Sequence, residues 1–334
     1  MTPVSPHVTV QERKPIRGSL IWWLRLLGVI AFVVLLITLP KFQNVHISRI
    51  NLGWLVICML LAVAQLLLDA GIWQWLMSSQ HIRQSYPKTV QSYLASQYLG
   101  LITPGRVGEF LAAGYVSMNT GITVGYALSS VVMRKALVWI IIVANGLWGL
   151  PLIVPLVTVR HGVKAIGLWA AAAAVVFLVG ITIWVLSLRR LAKKWERLSP
   201  WQIDMTEFWA GIRELMSIRL IVPLALSAGS FALLVFQLVA VLRAIGLVLP
   251  IVLVSQIVGI SRFVGRLIPV SLSGFGTKDA AVIWLLGQQG IAQPVSLTAV
   301  LLLLICTYLI TLLSSALSWL IRPLVVRRAQ FASS

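Results

Sequence analysis

Long apolar runs separated by short polar, basic segments make up most of the chain, and each run of about 20 residues is long enough to cross a bilayer as a helix. Residues 20–39 form the first, followed by Pro40-Lys41-Phe42 with no small-residue cleavage site, which predicts an uncleaved anchor. Residues 52–77 form the second, and residues 93–118 are apolar enough to follow but are interrupted by Thr103-Pro104-Gly105-Arg106-Val107-Gly108-Glu109. A Pro-Gly pair flanked by a cation and a carboxylate breaks a helix, and in hydrocarbon such backbone is tolerated only where protein or a water-filled cavity covers it. The stretch therefore reads either as a broken, re-entrant helix or as a surface loop between two short apolar segments. After it come an apolar run over 126–135 ending in Arg134-Lys135, a span over 136–156, and another over 162–188. The second half has spans over 220–242 and 296–321 around a second broken region, about 251–286.

The interruption is written twice. Ser96-Gln97-Tyr98-Leu99-Gly100-Leu101-Ile102-Thr103-Pro104 is echoed by Ser261-Arg262-Phe263-Val264-Gly265-Arg266-Leu267-Ile268-Pro269, and each copy leads through glycines to an acid, Glu109 or Asp279. Downstream, Gly121-Ile122-Thr123 is matched by Gly290-Ile291-Ala292. Convergent composition in a Leu/Gly/Pro-rich chain is the alternative. Paired, Gly/Pro-interrupted apolar segments in corresponding halves otherwise point to the binding site of a transporter.

These patterns give an all-α polytopic membrane protein with about six full spans and two broken or re-entrant segments in an inverted repeat. Residues 1–18 read as a basic cytoplasmic tail, 19–328 as one transmembrane domain with halves at about 50–188 and 219–321, and 329–334 as a second tail. Between the halves, Ser199-Pro200-Trp201-Gln202 opens an amphipathic helix, 199–216. Its apolar stripe, Trp201, Met205, Phe208, Ile212 and Leu215, would lie on the cytoplasmic leaflet or on the membrane domain.

Composition narrows the class further. With 59% hydrophobic and 10% charged residues and a mean hydropathy of +0.96, no separate soluble catalytic domain is expected. The net charge of +19 suggests nucleic acid at first, but the cations flank apolar runs, so a nucleic-acid partner is excluded in favour of anionic lipid. The block Arg189-Arg190-Leu191-Ala192-Lys193-Lys194 and both basic ends place the termini and the central loop in the cytoplasm. The first break then opens from the cytoplasm and the second from the opposite face, unless 124–135 is itself a crossing. Cys58 and Cys306 read as small packing residues.

Of the eight acidic residues, Asp69, Glu109 and Asp279 fall within apolar segments. Each carboxylate is a candidate proton carrier or partner of a nearby cation. Asp69 could equally be a capped or snorkelling structural residue. Arg134 and Lys135 are either interface anchors or part of the site. The candidate substrate-binding and gating residues are Pro104, Gly105, Arg106, Glu109, Arg134, Arg266, Gly274, Gly276, Lys278 and Asp279, with Asp69 and Arg262 as additions. Half-helices starting after Gly105 and Gly274 would aim backbone N–H groups at a phosphate. No paired histidines suit zinc, no nucleophile–base set is visible, and Gly274-Phe275-Gly276-Thr277-Lys278 lacks the order of a nucleotide loop, so neither enzyme, metal nor cofactor is expected.

Over residues 50–321 the chain resembles the membrane region of lysylphosphatidylglycerol synthases, the flippase domain of the bacterial multiple peptide resistance factor. Pro104-Gly105-Arg106-Val107-Gly108-Glu109, Ser130-Val131-Val132-Met133-Arg134 and Pro269 through Asp279 carry the resemblance. It implies an all-helical fold in the bacterial cytoplasmic (inner) membrane that binds or moves phospholipid. Lys135 and Asp279 depart from it, where a less basic residue and Glu are more usual. No aminoacyltransferase segment follows the last span, so two functions are expected: a flippase for an anionic phospholipid, or a non-transporting regulatory partner of a separate lipid-synthesising enzyme.

Overall fold

A computed structural model describes residues 50–102, 104–161, 205–267 and 276–321, all within the unit 43–334. The expected spans at 20–39 and 162–188 lie outside the described residues. Every regular element among those described is helical. In chain order they are α1 (Leu52–Ser79), α2 (Tyr86–Ile102), a 3-10 helix (Pro104–Leu111), α3 (Ala112–Thr120), α4 (Val124–His161) and α5 (Met205–Leu215). A short 3-10 turn (Ile218–Leu220) leads to α6 (Ile221–Ala244), α7 (Ile251–Leu267), α8 (Thr277–Gln288) and α9 (Gln293–Ile321). Four helices among the described residues are long and apolar enough to cross a membrane: Leu52–Ser79, Val124–Ile153, Ile221–Ala244 and Gln293–Ile321.

Local chemistry sets the helix ends. The Asn51 Oδ1 accepts from the Gly53 N–H at 3.0 Å and caps α1. Its other end closes through His81 at φ 56°, with the Ile82 N–H donating to the Met77 carbonyl at 2.9 Å. α6 ends the same way, through Gly246 at φ 80° and a Leu247 N–H to Leu242 carbonyl bond of 2.9 Å. This is the six-to-one bond of a left-handed helix stop, made once by glycine and once by histidine. Gly121 and Gly290, matched by the sequence echo, also share a left-handed φ, 75° and 78°, just before α4 and α9.

One expectation is corrected here. Residues 124–135 are neither a separate crossing nor a run cut off by its two cations, because α4 continues unbroken from Val124. A buried cation need not end a helix when a partner neutralises it, as the site below shows.

α1 and α6 run antiparallel along their length. The Asn51 N–H reaches the Ala244 carbonyl at 2.9 Å, Gln237 Nε2 donates to Gln65 Oε1 at 2.9 Å, and Ser230 Oγ donates to Asp69 Oδ1 at 2.7 Å. Small residues let α4 and α7 approach closely. A Cβ on Gly259 would overlap the Asn145 carbonyl, one on Gly149 would meet Ile260, and one on Gly146 would meet Phe263. Such glycines are the usual means of bringing membrane helices together, since lipid leaves packing rather than hydrophobicity as the driving force. In the reciprocal position α9 packs on α2, with the Tyr98 and Trp319 rings 5.4 Å apart. Thus the helix after each break lies against the helix that enters the other break.

Each half also builds its own core. Ala70, Trp73, Met77, Tyr93, Ala112, Val116 and Val131 form one, from α1 to α4. The larger joins Val241, Ile257, Leu285, Leu286 and Val300 of α6 to α9, with Cys58 entering from α1. There Cys58 and Cys306, both free thiols, are buried in the same packing.

The amphipathic connector settles on protein. Gln80 Nε2 donates to the Gly211 carbonyl at 3.1 Å and to Ser129 Oγ at 2.6 Å, and the Tyr126 hydroxyl donates to Glu214. Leu215 is buried against Leu76 and Leu137. Gly211, which the apolar stripe did not single out, is the point of closest approach to Ser129. Met205, placed in that stripe, is instead exposed along with Trp209 and Met216, while Trp201 and the expected Ser199 cap lie outside the described residues.

Candidate functional site

Gly100 and Gly108 press the first break onto α2. A Cβ on Gly108 would overlap the Leu99 carbonyl, and one on Gly100 would run into Glu109 Cγ. This contact turns Glu109 inward, where 5% of the residue remains exposed. Lys135 Nζ donates to Glu109 Oε2 at 2.6 Å, and Arg134 Nη2 stands 3.9 Å from the same oxygen. Arg134 is 6% exposed, which excludes the snorkelling anchor. Its guanidinium lies 4.7 Å from the centre of the Tyr93 ring, and Lys135 Nζ lies 5.0 Å from that of Phe110. Both cations are therefore held by a carboxylate and an aromatic face together.

The cluster extends to α1. The Tyr93 hydroxyl donates to Asp69 Oδ2 at 3.3 Å while Ser230 serves Oδ1, and both Arg134 and Glu109 lie within electrostatic reach of Asp69. Asp69 stands roughly three turns before the end of α1, and its oxygens serve α2 and α6. The polar set is thus continuous, from Asp69 through Tyr93 and Arg134 to Glu109 and Lys135. Asp69→Asn should keep the stability nearly intact, because an amide oxygen still accepts from Ser230, whereas Asp69→Ala strands that hydroxyl and should cost roughly 1–3 kcal/mol. Thermal melting of the two detergent-purified variants checks the difference.

The second break is organised differently. α8 starts at Thr277, its Gly276 cap has φ 104°, and the Gly276 N–H donates to Asp279 Oδ2 at 3.2 Å. Lys278 Nζ lies 3.8 Å from Asp279 Oδ1. An acid three residues after the cap satisfies a free amide and meets the positive end of the helix dipole. Asp279 therefore turns back onto the amide that opens its own helix. The first break also differs from expectation. The chain after Gly105 forms 3-10 turns through Leu111, and α3 begins only at Ala112, beyond Glu109.

The remaining candidates divide accordingly. Gly265 packs on Lys278, where an added Cβ would come within 2.7 Å of the lysine Cβ. Arg266 is exposed on the last turn of α7 with its guanidinium 5.4 Å from the centre of the Trp139 ring, and Arg262 is half-buried one turn earlier. Pro104 and Gly105 lie in the 3-10 helix; the Arg106 side chain and all of Gly274 lie outside the described residues. Glu109 finds its cations on α4, and Asp279 finds one within its own helix. Lys135 was weighed with Arg134 as an anchor or a site residue, whereas Tyr93 and Ser230 were not among the sequence candidates. Lys135 was detectable as the neighbour of Arg134; the other two are polar residues whose role depends on which helix faces them.

A multi-pass helical membrane protein with a charged cluster buried at a helix break is thus defined. The chain belongs to the lysylphosphatidylglycerol synthase transmembrane-region family: the family described as Lysylphosphatidylglycerol synthase TM region matches residues 20–315. No curated protein and no solved structure matches it.

Proposed function

We propose that this chain moves an anionic phospholipid, or a related phosphate-bearing lipid, between leaflets of the bacterial cytoplasmic membrane, with both termini in the cytoplasm and with no chemical step of its own. The observation that carries the reading is the buried Arg134 and half-buried Lys135, held against Glu109 where the membrane helix breaks. Buried cations at a break within a bilayer protein suit a negatively charged headgroup. Membership of a lipid-related transmembrane family agrees with it. The antiparallel contact of α1 with α6, and the exchange of α4 and α9 between the two breaks, support two inverted repeats that open the site to one face and then the other. Reconstitution into liposomes with labelled lipids, read by dithionite quenching, tests it. Translocation faster than in empty vesicles is expected for phosphatidylglycerol; rates equal to empty vesicles across several headgroups, with and without a proton gradient, remove the reading.

One observation favours a second reading, in which the protein regulates a separate lipid-synthesising enzyme. Docked α5 turns Met205, Trp209 and Met216 outward, leaving an apolar stripe uncovered. Membrane pull-down that yields a lipid enzyme, lost on Trp209→Glu, would support it.

A further inference from the structure

A cavity of about 450 Å³ lies beside the turn from α1 to α2, lined by Gln74 and Ser78 of α1 and by the loop residues 81–85. That volume falls within the roughly 300–1,000 Å³ of small-molecule sites. Exposure alternates along the loop: His81, Arg83 and Ser85 are exposed while Ile82 and Gln84 are buried. The alternation is that of extended backbone, so the three outward side chains stand on one side. Gln84 fixes the loop from behind. Its carbonyl accepts from Gln74 Nε2 at 2.7 Å, its Nε2 donates to Thr89 Oγ1 at 3.2 Å, and its Oε1 accepts from Asn119 Nδ2 at 3.3 Å. These partners belong to α1, α2 and α3, so three helices hold one short loop in place. Asn119, at the end of α3, also reaches Ser92 Oγ at 3.4 Å near the start of α2. The chain that enters through α2 therefore returns to the same end, and the cavity sits at the mouth of a hairpin whose tip is the first break.

We infer that this cavity is a second anion site, built for a glycerophosphate group: the Arg83 guanidinium receives the phosphate, and Ser78, Ser85 and the Gln74 amide receive the polyol. The donor set matches that ligand by type. A guanidinium presents a planar fork of N–H groups to phosphate oxygens, whereas hydroxyls and amides both donate and accept, as a polyol requires. Gln74 Nε2 spends one hydrogen on the Gln84 carbonyl and keeps the other. Among the described residues the lining carries no carboxylate. Glu214 approaches from α5, but it stands 4.0 Å from His81 Nε2 and accepts from the Tyr126 hydroxyl. The site is separate from the charged cluster, because Glu109 lies against Gly100, roughly 20 Å further along α2. The inference goes beyond the transport reading, since the same groups hold a lipid headgroup at the membrane surface or a free glycerol phosphate.

His81 reports occupancy locally, because its side chain is 84% exposed and lines the cavity. The purified full chain in neutral detergent is treated with diethyl pyrocarbonate, with dihexanoyl phosphatidylglycerol, with glycerol 3-phosphate or with neither, and modification of His81 is followed by mass spectrometry. At least one probe is expected to slow it. In Arg83→Gln the half-protecting concentration should rise about tenfold, the scale of one charge-assisted hydrogen bond, with the melting temperature unchanged. Arg219→Gln, which removes an exposed cation outside the lining, should protect as the wild type does. Should Arg83→Gln fail to fold, Ser78→Glu answers the same question, since a carboxylate in the lining should abolish protection. Protection by the lipid assigns a membrane headgroup, and protection by glycerol 3-phosphate alone assigns a free ligand. No protection by either probe, undiminished protection in the lining variant, or equal losses in Arg83→Gln and Arg219→Gln overturns the site. Each of those results leaves lipid transport standing, because Arg134 and Lys135 are not part of this cavity and the liposome assay tests them separately.

Discussion

Arg134→Gln should be among the most damaging substitutions in the membrane region, with a loss of roughly 3–5 kcal/mol in stability and of transport with it. Arg134 is 6% exposed, stacks on Tyr93 and pairs with Glu109. Without it, Glu109 loses one of its two cations on α4, while Asp69 keeps its two hydroxyl donors. The double variant Arg134→Gln/Glu109→Gln separates charge from packing. With a carboxylate and its guanidinium removed together, most of the stability should return while transport stays absent, since one headgroup ligand is gone. Thermal melting and liposome assays of the three proteins check this. A single-variant loss below roughly 1 kcal/mol would mean that the pair behaves as a solvated surface bridge. A double variant as unstable as the single one would transfer the loss to the stacking on Tyr93.

The broken helix at Pro104, the acid after it and the buried Arg134 were legible in the sequence because each is a rare residue type set in an apolar run. Rarity does not report direction. Successive residues on a helix point different ways, so nothing local indicated that Lys135 would share Glu109 with Arg134. Asp69 was visible as an intramembrane acid, but its partners Tyr93 and Ser230 come from α2 and α6, and only packing brings those helices to it. Asp279 was paired with Glu109 by its place in the echo, yet the extra residues between Pro269 and Asp279 let it become the cap of α8. Position in a repeat therefore matched the two acids without matching their contacts. The echo has a further match in the structure. The offset that carries Pro104 onto Pro269 also carries His81 onto Gly246, and both stop a long helix with a left-handed residue. A histidine in a glycine position conceals that match, because composition alone does not mark His81 as a helix stop.

Gly108→Ala is the other substitution expected to have a large effect, and it acts through the backbone. The added Cβ would fall on the Leu99 carbonyl and close to the Gly100 nitrogen, atoms of a packed helix that cannot swing aside as a flexible side chain can. The 3-10 segment must then lift from α2, and Glu109, next in sequence, must move with it. A loss of about 3 kcal/mol is expected, at the upper end of overpacking costs. Gly121→Ala provides the scale: its φ is 75° but nothing lies within 4 Å of an added Cβ, so only the left-handed penalty of roughly 1–2 kcal/mol applies. Melting temperature should therefore fall further for Gly108→Ala than for Gly121→Ala. A second readout ties the effect to the site. Lys135 gives up its 2.6 Å bond to Glu109 if the break lifts, so its amine should react faster with acetic anhydride in Gly108→Ala and at the wild-type rate in Gly121→Ala. Equal melting and equal Lys135 reactivity in the two variants would show that the glycine contact with α2 does not hold the break in place, and that the burial of Glu109 depends on its cations alone.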